Sequence, residues 1–397
     1  FGGRTKAAVI DFQKSRGLAP DGIVGKNTFL ALREFLTGYT YYTVKQGDTL
    51  YKIAGRFNSS VAALRVANEG IDPNNLEVGK QIKVIYGFNL VSDKVQYNSL
   101  LGELIAEGLA ARYPFVGLNI IGRSVLGRPI AALNMGVGAK KVFFNATHHA
   151  NEWITSLILL KFIEAYAFAI QNKSNIFGIP GELIRKNTTI FLVPMVDPDG
   201  VALVTGELPA GSAEYRQAQN ISARFPAIPF PDGWKANLLG VDLNLQYPAG
   251  WLQAREIKFS QGFTRPGPRD YVGRAPLNQR ESIALAEYTE QIDPVLVLAY
   301  HTQGKVIYWQ FLDYEIAGAR ELGEEFARVS GYELADTPYE SSFAGYKDWF
   351  IQYFRRPGYT VEVGLGENPL PLGQFDEIYR DNLGILVTAA TGLPGGV

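Results

Sequence analysis

The chain of 397 residues contains three histidines, and all of them stand at the ends of apolar runs. Val142-Phe143-Phe144-Asn145-Ala146-Thr147 leads into His148-His149-Ala150-Asn151-Glu152-Trp153, and Pro294-Val295-Leu296-Val297-Leu298-Ala299-Tyr300 leads into His301. Runs rich in Val, Leu and Phe read as buried strands. An amphipathic helix is expected to begin near Glu152. His149 and Glu152 are three residues apart, so a turn leaving the strand can aim an imidazole and a carboxylate at one point. Ordinary packing histidines would be scattered, not gathered at two strand ends. The pattern predicts that His149, Glu152 and His301 form a two-histidine, one-carboxylate Zn²⁺ site with one ion per chain. His148 is expected to pack beside it.

Composition narrows the field of function. The formal charge is −1, so no global basic field favours nucleic acid. Cysteine is absent, which removes thiol catalysis, disulfides and thiolate metal sites. This suits a protein working outside a bacterial cytoplasm without oxidative folding. The most apolar helix, from Leu157 to Ile170, is interrupted by Lys161 and Glu164 and reads as too short to span a membrane. The chain opens at Phe1, inside a shortened motif and with no visible signal peptide, so its start is expected to be processed or clipped.

From Thr5 to about Leu36 a helical pattern carries Ala8-Val9, Phe12-Gln13, Gly17-Leu18, a tight turn at Asp21-Gly22, then Val24-Gly25 and Thr28. This string resembles the C-terminal two-thirds of the small helical peptidoglycan-binding domain of bacterial wall hydrolases, over residues 1–38. Tyr42-Thr43-Val44 then alternates as a strand, and Gly47-Asp48-Thr49-Leu50 turns into a helix capped by Asp48 or Thr49. A second short helix holds Val61, Leu64 and Ala67-Asn68, and Val78-Gly79-Lys80-Gln81-Ile82 closes with a strand. This βααβ order resembles a LysM domain over residues 41–86. The resemblance implies binding of N-acetylglucosamine-containing glycan strands, with Asp48, Thr49 and Leu50 at the contact. So small a unit has little core and no candidate nucleophile, which suits binding more than chemistry.

Beyond residue 92 strands and helices alternate. Leu118–Ser124 and Arg128–Asn134 read as antiparallel strands joined at Gly127, and a strand 189–194 runs into Asp197-Pro198-Asp199-Gly200. A long Pro- and Gly-rich stretch from Thr205 to Pro276 reads as irregular and functional. Helices 277–291, 317–330, 345–353 and 375–390 and strands 295–300, 305–310 and 359–363 complete the pattern. The expectation is an α/β domain over 92–397, with a mixed central sheet, helices on both faces and site residues at strand ends.

Five strings in one order, His149-Ala150-Asn151-Glu152-Trp153, Asp197-Pro198-Asp199-Gly200, Gly240-Val241-Asp242-Leu243-Asn244, Tyr300-His301 and Thr360-Val361-Glu362-Val363-Gly364, resemble the carboxypeptidase A-like (M14) zinc peptidases. The resemblance implies a carboxypeptidase A-like fold, zinc on His149, Glu152 and His301, and Glu362 as the carboxylate that takes a proton from water and returns one to the leaving amine. It further implies Asp348 in the helix before that glutamate, Tyr339 as a ring covering substrate, and Asn151 and Asn244 as substrate contacts.

Three departures qualify the substrate. Asn151 stands where the family commonly has Arg, Trp234-Lys235 stands for a Trp-Arg pair whose cation polarises the scissile carbonyl, and Asn244-Leu245 stands for an Asn-Arg pair that grips a terminal carboxylate. Lysine brings charge without a planar fork, and leucine brings neither. With two wall-binding modules in front, the chain resembles endopeptidase I-type γ-D-glutamyl-meso-diaminopimelate peptidases, which cut peptidoglycan stem peptides. Arg216, Arg224, Arg255, Arg265, Arg269 and Arg274 are candidates for meeting substrate carboxylates. Two alternatives remain, a carboxypeptidase trimming the terminal residue of a stem peptide and a non-catalytic wall-binding protein. The implied partners are glycan strands and stem peptides, with no nucleic acid or membrane. The implied location is the cell wall or the secreted fraction, in a spore or mother cell.

Overall fold

The structure, a computed structural model, describes residues 2–392. Phe1 and residues 393–397, the outermost positions of the first and last expected domains, lie outside the described residues. The chain divides into two compact units, Phe1–Leu90 with Glu107–Pro114, and Val91–Ala106 with Phe115–Val397.

In the first unit α1 (Gly3–Ser15) and α2 (Lys26–Leu36) are followed by β1 (Tyr39–Thr43), α3 (Leu50–Arg56), α4 (Val61–Ala67) and β2 (Gln81–Ile85). The sequence string around Gln13 is a polar network. Gln13 is buried, and its Nε2 donates to Asp21 Oδ1 at 2.7 Å, Ile23 O at 3.0 Å and Thr28 Oγ1 at 3.1 Å. Its Oε1 accepts from the Gly22 N–H at 2.8 Å. One amide thus fixes the turn between two short helices that have little apolar surface to share. β1 and β2 pair antiparallel, Tyr39 opposite Ile85, which gives the βααβ order read from sequence.

Asp48, Thr49 and Leu50 turn out to be structural in large part. The Asp48 carboxylate accepts from the Lys45 N–H and the Tyr42 hydroxyl and pairs with Arg56. Thr49 is exposed and caps α3 by accepting from the Lys52 N–H. Leu50 is 2% exposed and sits in a core with Val44, Ile53, Leu64, Ile82 and Val84. That burial corrects the expectation that the Leu50 side chain meets a glycan.

The second unit begins at Val91 and includes the first half of α5 (Ser99–Arg112). Then follow β3 (Val116–Arg123), β4 (Pro129–Met135), β5 (Lys140–Ala146), α6 (Ile154–Gln171), a small hairpin of β6 (Asn175–Ile176) and β7 (Ile179–Pro180), α7 (Gly181–Asn187), β8 (Thr188–Val193) and α8 (Pro198–Val204). After α9 (Ala213–Ser222), α10 (Trp251–Ser260) and α11 (Arg280–Ile292) come β9 (Leu296–His301), β10 (Val306–Tyr308), α12 (Ala319–Ser330), β11 (Glu333–Ala335), α13 (Tyr346–Phe354), β12 (Gly358–Glu362) and α14 (Phe375–Thr391). The stretch from Thr205 to Pro276 is therefore less irregular than its Pro and Gly content suggested, since α9 and α10 lie inside it. Both are polar helices whose pattern is diluted by the surrounding turn residues.

Eight strands form one mixed sheet in the order β11-β10-β12-β9-β5-β8-β4-β3. The inner four, β12, β9, β5 and β8, are parallel, so their C-terminal ends share one edge. Register explains the two-sided core. Tyr359, Leu298, Phe144 and Leu192 lie in one row, and Gly358, Val297, Phe143 and Phe191 in the next. Because side chains alternate across a pleat, the rows face opposite ways. Phe144 meets Phe162 of α6, and Tyr359 meets Phe326 of α12. On the other face Phe143 meets Tyr288 of α11 and Tyr346 of α13. A run apolar on every residue is what a strand covered on both faces requires.

α6 is longer than its sequence pattern indicated. Its 18 residues are long and apolar enough to cross a membrane by length and composition, yet 78% of that window is buried inside the protein. Lys161 reaches back to pair with Glu164, so the two charges do not interrupt the apolar face. Packing against the sheet, not shortness, accounts for this helix.

Phe143 lies at the centre of the wider core cluster and is fully buried. Phe143→Ala is expected to destabilise the second unit by about 3–5 kcal/mol, read as a lower denaturation midpoint in urea.

Candidate active site

The turn after β5 aims two side chains at one point. Thr147 ends the strand with φ 59°, a left-handed conformation that costs a non-glycine residue on the order of 1–3 kcal/mol. Its hydroxyl lies 2.8 Å from both the Thr155 and Ser156 hydroxyls in the first turn of α6, which holds the bend. The Val196 and Asp197 N–H groups donate to Ala146 O and Thr147 O, tying the exit of β8 to the same bend. A single 3-10 turn, Ala150–Glu152, then brings the Glu152 carboxylate back under the His149 ring. His301 arrives as the last residue of β9, beside the end of β5, and Glu362 as the last residue of β12, paired in register with His301.

The three ligand types converge closely. His149 Nδ1 lies 2.9 Å from Glu152 Oε1, His301 Nδ1 lies 3.0 Å from Glu152 Oε2, and the two Nδ1 atoms are 3.2 Å apart. Donors held about 2.1 Å from one tetrahedral ion are spaced by roughly 3.4 Å, so this set fits Zn²⁺ with one position left open. Two ring nitrogens facing each other at this distance need a proton or a cation between them. His149, Glu152 and His301 are a cluster capable of coordinating one metal ion.

The surroundings tune that cluster. His149 Nε2 lies 3.0 Å from Asp242 Oδ1, so Nε2–H donates to the Asp242 carboxylate and leaves Nδ1 for the metal. Glu152 also receives the Lys235 ammonium at 2.8 Å and the Thr302 N–H at 3.2 Å. Burial pulls the His149 imidazole down, but the Glu152 and Asp242 carboxylates override it and raise it to about 10. Burial works against both carboxylates too, yet His149 first and Lys235 after it hold them well below their usual range. His301, buried and facing His149 and Lys235, is lowered. Glu362 is pushed up to about 8 by burial and then by the Glu152 charge. His148 is fully buried with Nε2 3.0 Å from the Tyr247 hydroxyl and stacks on His301 at 5.6 Å between ring centres. It packs behind the ligands, as expected.

A cavity of about 200 Å³ is lined by His149, and a larger one of about 570 Å³ adjoins it. Lys235, Arg269, Tyr308, Ser341 and Glu362 line both and so mark where they meet. Asn151 lines the larger; its Nδ2 donates to Asp232 O at 2.9 Å, and its buried Oδ1 has no partner among the described residues. Asn244, Leu245 and Asp348 line the smaller. There Asn244 Oδ1 accepts from the Tyr346 N–H, and Asp348 accepts from the Gly345 N–H while pairing with Lys347 at 2.6 Å. Tyr339 lies on a short turn between the lining residues Pro338 and Ser341, but its ring is 68% exposed and rests edge-on against Phe343. Lys235, expected to act on a substrate carbonyl, lies against Glu152 at 2.8 Å.

Sequence reasoning left two residues unassigned. Asp242 stood inside one of the five strings with no role of its own, and it also caps a short turn by accepting from the Asn244 N–H. Tyr308 carried no motif at all. Only the antiparallel pairing of β10 with β12 brings it beside the Glu362 strand end.

A model described as zinc carboxypeptidase matches residues 103–384 of this chain. The chain belongs to the zinc carboxypeptidase family. A LysM domain model matches residues 42–84, and a peptidoglycan binding domain model matches residues 1–32. The family member is 44% identical over 298 residues to the gamma-D-glutamyl-L-diamino acid endopeptidase 1 of Lysinibacillus sphaericus, covering 73% of this chain and 71% of that protein. It is 41% identical over 276 residues to the uncharacterized protein YqgT of Bacillus subtilis, covering 69% and 72%. Among solved structures, bovine thrombin-activatable fibrinolysis inhibitor superposes with a TM-score of 0.58 at 15% identity, over 75% of this chain and 97% of that one. The carboxypeptidase A of Helicoverpa armigera gives 0.54 at 16%, over 98% and 87%. At such identities these two likenesses establish the fold. Together with the His-Glu-His cluster, family membership makes this chain a zinc metallopeptidase.

Metal binding should release a proton. With its pKa raised from 6.5 to about 10, His149 is protonated at neutral pH in the metal-free chain. Zn²⁺ must displace that proton, so affinity is expected to rise about tenfold per pH unit between about pH 6 and pH 8. Competition with a chromophoric chelator measures it, and a flat profile would contradict the assignment. Asp242→Asn is expected to weaken zinc binding by about 10–100-fold in the same assay.

Proposed function

We propose that this zinc peptidase cleaves the amide bond between γ-D-glutamate and diaminopimelate in peptidoglycan stem peptides. The observation that carries this reading is its likeness to the Lysinibacillus endopeptidase across most of both chains. The site agrees with it chemically. In the smaller cavity Leu245 follows Asn244, so the position expected to carry a carboxylate-gripping arginine carries no cation.

When bound, Zn²⁺ supplies a Lewis acid that makes water nucleophilic near neutral pH. Glu362 serves as the proton carrier. Its carboxyl lies at the junction of the two cavities, and burial raises it to about 8, close to the pH at which it must both accept and release a proton. Lys235 keeps the Glu152 carboxylate in place and contributes positive charge beside Glu362. Asn151 offers its unpartnered Oδ1 to a substrate N–H, and Asn244 and Asp348 hold the wall of the smaller cavity through the start of α13. Tyr339, exposed at the rim, covers bound substrate.

In this reading residues 1–38 and 41–86 hold the enzyme on the wall and residues 92–397 cut. The loop Gly47–Thr49 presents glycan-facing backbone, with Leu50 anchoring it from beneath. Peptidoglycan is the binding partner that these modules imply, and cell-wall association or secretion follows from them. Action in a spore or mother cell is the finer placement we propose.

Digestion of defined tri-, tetra- and pentapeptide muropeptides, followed by mass spectrometry, tests the reaction. The expected products are an N-terminal piece ending in D-glutamate and a free diaminopimelate-containing piece, abolished by a chelator and restored by zinc. Release of a single C-terminal residue with the γ-linkage intact would establish a carboxypeptidase instead. Glu362→Gln should lower kcat on the cleaved peptide by about 10²–10⁴-fold while zinc content stays at one per chain. Loss of zinc with the activity would place Glu362 among the ligands.

A further inference from the structure

The two cavities are lined by four cations, Lys235, Lys258, Arg269 and Lys347, and their partners separate them. Lys235 is held by Glu152 at 2.8 Å, and Lys258 by Asp270 at 2.8 Å. Lys347 is buried and spends its three donors on Asp348, Gln310 O and Thr337 Oγ1. Arg269 differs. Its Nε pairs with Asp270 Oδ2 at 2.5 Å, its side chain is 42% exposed, and it lines both cavities together with Glu362. Among the described residues its two Nη groups make no hydrogen bond. Asp270 is shared by Arg269 and Lys258, so the three groups carry a surplus positive charge.

The backbone that presents Arg269 is fastened on both sides. The Lys235 and Ala236 N–H groups donate to Pro268 O at 2.7 and 2.9 Å, and the Asp270 N–H donates to Asp242 Oδ2 at 3.2 Å. Asp270 itself sits at φ 62°, a left-handed conformation that an exposed loop with no constraint would relax. The loop is therefore built against the residue that orients His149 on one side and the cleft lysine on the other. The remaining five candidate arginines line neither cavity. Arg216 bonds to Gly211 O and, with Arg224, lines a separate groove; Arg255 stacks on Trp251 and Phe259; Arg265 and Arg274 are exposed elsewhere.

We infer that Arg269 is the specificity-determining cation that grips the free α-carboxylate of the γ-linked glutamyl residue on the amino side of the cleaved bond. This rests on the reaction proposed above. An ordinary α-linked peptide has no charge at that place. A γ-linked glutamate keeps its α-carboxylate, a short aliphatic spacer away from the carbonyl under attack. Two unspent Nη donors in one plane match the two oxygens of such a group, and the clamp costs the protein no reorganisation because the loop is already fixed.

The test compares two peptides, L-Ala-γ-D-Glu-diaminopimelate and the same peptide with the glutamyl α-carboxylate amidated, on the zinc-loaded full chain. The wild type is expected to prefer the acid by at least about tenfold in kcat/KM, and Arg269→Gln to bring that ratio close to one, chiefly through KM on the acid. Arg269→Lys should restore part of the ratio, since it keeps the charge and loses the fork. Zinc content and melting temperature of each variant show that it is folded. A wild-type enzyme indifferent to amidation overturns the inference, as does an Arg269→Gln enzyme that loses rate equally on both peptides. If the wild type cuts neither peptide, the proposed reaction itself fails, and the inference fails with it.

Discussion

Glu152 is 1% exposed, and a carboxylate so far from water stays ionised only if its neighbours replace the lost hydration. It is surrounded by two imidazoles, the Lys235 ammonium and the Thr302 N–H. These partners come from three segments, His149 close by in sequence, and Lys235 and His301-Thr302 far along the chain. Much of the second unit can be understood as the framework that brings them to one spot. The parallel pair β5–β9 places His149 and His301 at one sheet edge, and the Ala150–Glu152 turn supplies the carboxylate between them. An ion at this point would satisfy the facing Nδ1 atoms, which otherwise hold a proton between like groups. The site is thus built for a cation before any substrate arrives.

The same electrostatic logic runs outward through the loop at 268–270. Asp242 orients His149, accepts the Asp270 N–H and caps the turn Leu243–Leu245. One carboxylate therefore couples metal ligand orientation to the position of the loop that carries Arg269. A change in that loop would be felt at the metal, and Asp242→Asn would be felt in the cleft. The hydrogen bonds from Lys235 and Ala236 to Pro268 O close the circuit through backbone alone, which side-chain substitution cannot easily undo.

The first unit solves a different problem with fewer apolar residues. Gln13 makes four hydrogen bonds from one buried amide, and Asn68 pins α4 to β2 through Leu64 O and both polar groups of the Lys83 peptide. Small units bury a smaller fraction of their surface, so directed polar networks carry more of the work of specifying the turn. That is also why their sequence strings are so legible. The residues that define the motif are the ones that make these bonds.

Local sequence determined a good deal of this protein. The apolar runs ending in histidine, the three-residue step from His149 to Glu152, the alternation of strands and helices, and the short strings of the two small modules all reflect bonds and periodicities within a few residues. They sufficed for the metal cluster, the mixed sheet and the βααβ order. Other features depended on which distant segments meet. α9 and α10 were hidden by Pro and Gly between them, and α6 looked too short because its Lys161–Glu164 pair is neutralised in the fold, not in the sequence. Leu50 read as a contact residue until the small core closed over it. Tyr308 reaches the site only through β10–β12 pairing, Lys235 was drawn to Glu152 by a charge 83 positions earlier in the chain, and Arg269 stood out from five other arginines only when the lining of the two cavities was known. Electrostatic pairing across the sheet edge is a long-range property. Sequence supplies the charges, and the tertiary structure decides which of them are already spent.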